Sequence, residues 1–248
     1  MRVVGVVQAR MGSSRLPGKM LMEVAGRSLI QHVCDRLQLC RELDDFLVAT
    51  STSGSDDLLA RKVDALGCHV YRGSETDVLD RVYHAGRSLD ADAVVRMTGD
   101  CPLLDPAEVD RAVSTFRDGE GVDYCALGYS YPEGFGAEVI GGQALASAWT
   151  EATEASDREH VTPFIQRHDD RFTVQWLECE DDYSGYRVTV DEPSDLEVVG
   201  ALIEGLSDLS TFGLRQIIDY LKQHPDIAGL NAGATRSSGW RSRPATGA

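Results

Sequence analysis

The chain has 248 residues, 42% of them hydrophobic, and a formal net charge of −16. That suffices for the core of one full-sized domain, and the acidic balance argues against a nucleic-acid binder, which normally presents a basic face. No stretch approaches the roughly eighteen apolar residues of a membrane span and no leader-like segment opens the chain, so a cytoplasmic protein without membrane contact is expected.

An apolar, β-branched run from Val3 to Val7 predicts a first strand. It delivers the chain to Gln8-Ala9-Arg10-Met11-Gly12-Ser13-Ser14-Arg15-Leu16-Pro17-Gly18-Lys19. Small residues there let backbone N–H groups approach an anion, and three cations, Arg10, Arg15 and Lys19, converge on it. Triphosphate is the expected ligand. Neither common nucleotide loop is present, because Lys19 is followed by Met20 and no G-x-G-x-x-G stands here. Lysine occurs only at positions 19, 62 and 222, which makes one inside this loop informative.

Helical spacing follows over 28–37, a strand over 46–50, and a helix over 55–63 with Ser55 as its cap. A short strand at 68–71, a helix over 77–85 and a strand over 93–97 lead to Thr98-Gly99-Asp100-Cys101-Pro102. Pro106 restarts a helix, and strands are expected at 123–127 and 137–140, then a helix over 144–152. Residues 156–165 read as a helix bent by Pro163, 173–177 as a strand, and 186–191 as an alternating β-run. Two helices, from 192 to 206 and 211 to 224, complete a single domain over 1–230, and 231–248 reads as a flexible tail. Alternating strands and helices indicate an α/β domain with a largely parallel sheet. The six cysteines show no C-x-x-C pairing and read as small buried hydrophobes.

Asp100 and Asp191 each close a β-run, and an open parallel sheet carries its ligand crevice outside such strand ends. Two carboxylates meeting a triphosphate suit Mg²⁺, which takes one or two protein carboxylates, waters and phosphate oxygens. The competing use of either aspartate is as a helix cap before Pro102 or Pro193.

The loop spacing, Gly99-Asp100-Cys101-Pro102 and Asp191-Glu192-Pro193-Ser194-Asp195-Leu196 together resemble the cytidylyltransferases that make CMP-activated octulosonates and nonulosonates. Residues 71–81, 132–139 and 158–163 are most similar to the spore-coat-polysaccharide branch, and the likeness spans about 2–205. It implies a three-layer, Rossmann-like nucleotide-diphosphosugar-transferase (GT-A-like) fold with a mainly parallel mixed sheet. It also implies transfer of CMP from CTP to a sugar acceptor with Mg²⁺, and a possible homodimer. Arg10 and Lys19 are then assigned to the β- and γ-phosphates, Arg15 to the leaving pyrophosphate, and Asp100 and Asp191 to the metal. The nucleotide site takes in Gln8, Ala9, Gly12, Ser13, Ser14, Asp77, Arg81, Thr98 and Gly99 as well. A surface ion pair would equally explain Asp77 and Arg81.

For the sugar, Glu133, Glu138, Arg158 and His160 are the candidates, Arg158 for an acidic group and His160 as an orienting base or a solvent-facing histidine. A glycosyltransferase on the same fold would require a D-x-D metal motif at a strand end, and Asp90-Ala91-Asp92 precedes its strand instead. A non-catalytic nucleotide-binding subunit would have lost the loop cations or the acidic pair, and both are intact.

Overall fold

The computed structural model describes residues 1–206 and 212–234. β1 (Val3–Gln8) leads through a 3-10 turn at Lys19–Leu21 to a small hairpin, β2 (Glu23–Val24) with β3 (Arg27–Ser28), and then α1 (Leu29–Leu37). The chain continues through β4 (Asp45–Ser51), α2 (Asp57–Ala65), β5 (His69–Gly73), α3 (Val78–Ser88), β6 (Ala93–Thr98) and α4 (Pro106–Asp118). Next come β7 (Tyr124–Leu127), β8 (Glu138–Gly141), α5 (Gly142–Glu151), α6 (Ala155–His160) and α7 (Pro163–Arg167). β9 (Val174–Leu177), α8 (Pro193–Leu206), α9 (Leu214–Gln223) and α10 (Pro225–Gly229) follow.

Seven strands form one sheet in the order β5-β4-β1-β6-β8-β7-β9, parallel throughout except that β8 runs against both its neighbours. Successive side chains of a strand point to opposite faces, so β1 feeds two apolar layers. Val3 and Val7 pack with Ile30, Leu59, Val113, Leu202 and Ile217 from α1, α2, α4, α8 and α9. Val6 packs on the other face with Leu79, Val82, Leu145, Ala148 and Phe164 from α3, α5 and α7. Burial on both faces explains the nearly unbroken apolar run in β1, and each such buried side chain contributes about 1.5–3 kcal/mol. The result is the expected three-layer fold with a mainly parallel mixed sheet.

Four local expectations change. The second helix is entered through Asp56, not Ser55, because the buried Asp56 carboxylate accepts from Ser51 N and from Met11 N in the distant loop. Residues 186–191 are extended but join no strand ladder; they make one bridge, Arg187 to Glu133, and are held by side chains. The helix expected over 156–165 is broken before Pro163, at Val161, whose φ of 73° lets Thr162 N donate to His160 O in a three-residue turn. The expected tail begins within structure: Asn231 is buried, while 235–248 lie outside the described residues. All six cysteines are free, four of them buried. Among the described residues no helix is long and apolar enough to cross a membrane.

Candidate active site

A cleft of about 800 Å³ opens at the C-terminal ends of β1 and β6. Its first wall is the loop after β1. Ala9 N donates to Ala49 O, and both Ser13 N and Gly18 N close on the Met11 carbonyl, curling the loop into a cup. Asp56 fixes that cup from outside through Met11 N at 2.7 Å. Burial alone would raise the Asp56 pKa, but its bonds from Ser51 and Met11 outweigh burial and hold it below the ordinary carboxylate range. Gly18, at φ 76°, then turns the chain inward in a conformation that only glycine adopts readily.

That turn buries Lys19, which is 6% exposed. Its Nζ has three donors and places them on Asp100 Oδ2 (2.9 Å), Asp191 Oδ1 (2.8 Å) and the Val190 carbonyl (2.7 Å). Desolvation would lower the lysine pKa; the two aspartates more than offset it and keep the ammonium charged. Asp100 is likewise held below its ordinary value, the Lys19 charge overcoming the effect of burial. The carboxylates, 91 positions apart, therefore meet on one cation, and neither acts as a helix cap. Val190 N and Thr189 Oγ1 both donate to the Asp100 carbonyl, locking the two segments together.

The second wall carries a denser ion cluster. Arg187 pairs with Asp195 through Nε (2.8 Å), with Asp191 through Nη2 (3.0 Å) and with Glu133 through Nη1 (2.6 Å). Arg15 adds contacts to Asp191 Oδ2 (3.0 Å) and Glu192 (3.6 Å). Gly134, at φ 111°, lets this segment close on 187–189: a Cβ there would stand 2.6 Å from Thr189 N. Around Asp191, three cations (Arg15, Lys19, Arg187) face five carboxylates (Glu133, Asp100, Asp191, Glu192, Asp195). That excess of negative charge, with two carboxylates already converging on one cation, fits a hard divalent ion. Among the described residues no three His, Cys, Asp or Glu side chains form a metal cluster, so such an ion would draw its other ligands from water and phosphate.

Every residue singled out from the sequence lines the cleft except Asp77 and Arg158. Those two pair with each other at 2.7 Å; Asp77 also caps α3 by accepting from Asp80 N, and Arg158 donates to the Trp149 carbonyl. The pair ties α3 to α6, outside the residues that line the cleft. Arg81 donates to Ser74 O instead of pairing with Asp77, and its buried Nε has no hydrogen-bond partner among the described residues. Burial, and then the neighbouring Arg10 charge, depress the Arg81 pKa, and both arginines line the cleft.

Glu138 is buried under Arg96, Tyr124 Oη (2.6 Å) and Thr162 Oγ1 (2.9 Å). Arg96 also donates to Gln8 Oε1 at 2.9 Å, and desolvation lowers its pKa to about 10, so it stays charged at neutral pH. The strained turn at Val161 presents Glu159, His160 and Thr162 to the cleft. Sequence reasoning missed Asp56, Arg96, Arg187 and Asn231 and gave Asp195 no role. The available signal for Arg96 and Arg187 was a charge within an otherwise apolar β-like run, since a buried charge requires a partner.

A three-layer α/β fold whose strand-end cleft joins a cationic loop to a carboxylate pair defines a nucleotidyltransferase. Residues 4–220 match the family model described as cytidylyltransferase, and the chain belongs to that family. It is 31% identical to the spore coat polysaccharide biosynthesis protein SpsF of Bacillus subtilis over 91% of this chain and 96% of that one. It is 32% identical to the 8-amino-3,8-dideoxy-manno-octulosonate cytidylyltransferase of Shewanella piezotolerans, over 75% of this chain and 72% of that protein. A cytidylyltransferase structure from Leptospira borgpetersenii superposes with a TM-score of 0.89 at 27% identity, covering 96% of this chain and 99% of that one.

Proposed function

We propose that the protein transfers CMP from CTP to a sugar hydroxyl with Mg²⁺, releasing pyrophosphate, in the assembly of a surface polysaccharide or glycan. The observation that carries this reading is Lys19, whose ammonium joins Asp100 to Asp191 directly beneath the loop. In the reaction the sugar hydroxyl oxygen bonds to the α-phosphorus and releases its proton to solvent, the bond from that phosphorus to the bridging oxygen breaks, and pyrophosphate leaves with the electron pair. Such transfers depend mainly on positioning and on stabilising phosphate charge. Arg10 and Arg81 supply two guanidiniums for the phosphates, and the unpartnered Arg81 Nε is a buried donor suited to an anion. The departing pyrophosphate falls to Arg15 of the same loop, while Lys19, its three donors already placed, serves by holding the two aspartates. Asp100 and Asp191 are the residues to hold Mg²⁺, whose chemistry when bound is to neutralise phosphate charge and acidify the attacking hydroxyl.

The acceptor is an acidic sugar, as the octulosonate relative's name suggests. Arg96, which lines the cleft, takes the carboxylate-binding part that the sequence assigned to Arg158. Glu133, Glu138 and His160 complete that end, the first two already fixed by Arg187 and Arg96.

The test is pyrophosphate release with Mg²⁺, each of the four NTPs and a panel of octulosonates, nonulosonates and neutral sugars. Release is expected only with CTP and an acidic sugar, and a fall of at least about 10²-fold in Asp100→Asn, the scale for losing one group that stabilises transition-state charge. Failure of the wild-type protein to bind any NTP in the presence of Mg²⁺ would overturn the reading.

A further inference from the structure

The family match ends at residue 220, yet the chain beyond it returns to the active site. After α10, the buried Asn231 donates through Nδ2 to Asp195 Oδ1 (2.8 Å) and to the Arg187 carbonyl (3.1 Å). Asp195 has no exposed surface. Its Oδ1 accepts from Arg187 Nε (2.8 Å), and its Oδ2 accepts from Arg187 Nη2 and the backbone N–H groups of Asp191 and Glu192, all at 2.9 Å. Five donors thus converge on one carboxylate, more than the roughly four lone-pair sites that two oxygens offer. Arg187 Nη2 reaches on to Asp191 Oδ2 at 3.0 Å, leaving Asp191 Oδ1 turned toward Lys19.

Both the backbone and the side-chain torsion of Asp191 are therefore set from behind: the backbone by its N–H on Asp195, the carboxylate by Arg187, and these two by Asn231. We propose that Arg187, Asp195 and Asn231 are positioning residues that aim Asp191 into the cleft, so that the described segment from 221 to 234 is a working part of the active site. The inference rests on the nucleotidyl-transfer reading above, with Asp191 as a metal-holding carboxylate. Groups behind metal ligands commonly change metal affinity by about 10- to 100-fold when removed. Asn231 stands one step further back, and its effect is expected at the lower end of that range.

The experiment compares the full-length protein with Asn231→Ala, Asn231→Asp and Asp195→Asn. Mn²⁺ binding in the presence of CTP is followed by electron paramagnetic resonance, and amide hydrogen exchange of residues 188–192 is followed without metal. Asn231→Ala is expected to weaken Mn²⁺ about tenfold and Asp195→Asn by more, with the KM for CTP unchanged within about twofold. Exchange at 190–192 should quicken while β1 and β6 keep their protection. Asn231→Asp, equal in size but setting a second carboxylate against Asp195, should be worse than Asn231→Ala; if Asn231 only fills space, it should be milder. Should Asn231→Asp not fold, Asn231→Ala and Asp195→Asn decide the matter. Unchanged Mn²⁺ binding and unchanged exchange at 190–192 in both, with only a lower melting temperature, would overturn the proposal. A wild-type protein that binds no Mn²⁺ with CTP would instead remove the underlying functional reading, whatever the variants' exchange rates.

Discussion

At the ends of β1 and β6 the cleft wall hangs on a parallel ladder in which Val3 through Gln8 pair in register with Ala93 through Thr98. On the second wall, residues 186–191 lie in no ladder and are held by Arg187, Asp195 and Asn231, with a few backbone bonds to Glu133 and Asp100. The ladder wall distributes most of its support over many peptide groups of the strands, with the Asp56 side chain pinning the loop above them. The second wall concentrates support in one guanidinium and one carboxylate, both buried. Ordinary substitutions should therefore spare the first wall and break the second.

Arg187→Ala gives the widest test. It strips the cation from Glu133 and Asp195, which are 3% and 0% exposed, and breaking a buried ion pair costs about 3–5 kcal/mol. The urea midpoint should fall accordingly, with a loss well under 1 kcal/mol counting against a concentrated support.

Acid should act on both walls with the same sign. Asp56 and Asp100 on the ladder side and Asp195 on the second wall all have folded pKa values below the ordinary aspartate value of about 3.9. For each, burial would raise the value and hydrogen bonds or a neighbouring cation override it. A depressed folded pKa contributes stability that is fully present above the ordinary value and lost as pH falls through it toward the folded one. Urea midpoints measured from pH 7 to pH 2.5 should stay level down to about pH 4.5 and then drop steeply. Hydrogen exchange across the drop sharpens the comparison, since 188–192 should open before β1 and β6.

The smallest effect belongs to Arg158→Ala. Its pair with Asp77 is about a quarter exposed on each side, and such surface pairs contribute about 0.5 kcal/mol. Sugar KM should be unchanged; a large rise would return Arg158 to the acceptor site.

The ladder wall was legible in the sequence because its chemistry is local. A β-branched run, a small-residue loop, three cations and Gly99-Asp100-Cys101-Pro102 follow strand periodicity directly. The meeting of Asp100 with Asp191 was also anticipated, because strand ends share one edge of a sheet. What joins them was not: Lys19 was assigned to phosphates, and here its three donors go to the aspartates and the Val190 carbonyl. Nor was the support behind Asp191 visible, since Arg187 reaches Asp195 eight residues on and Asn231 arrives from 36 positions past Asp195. The alternation in 186–191 read as a strand because Val188 and Val190 are apolar at alternate positions; both are buried in the core, yet the segment joins no strand ladder. The place of Arg158 was hidden for a related reason. A helix broken at Val161 turns its arginine toward α3 while the following residues enter the cleft, and no helical periodicity encodes that break.

The reversed course of β8 has a bearing on how such a cleft can diversify. Because β8 runs against β7, the connection between Leu127 and Glu138 is a hairpin whose tip lies at the cleft, with both feet pinned by the ladders to β6 and β9. Its ten residues supply Tyr129, Tyr131 and Glu133 to the lining. Exchanging the outer residues 129–132 would recast that part of the cleft lining while every strand keeps its register, whereas Glu133 and Gly134, tied to 186–189, belong to the fixed support, so one short connection divides into a replaceable part and an anchored part.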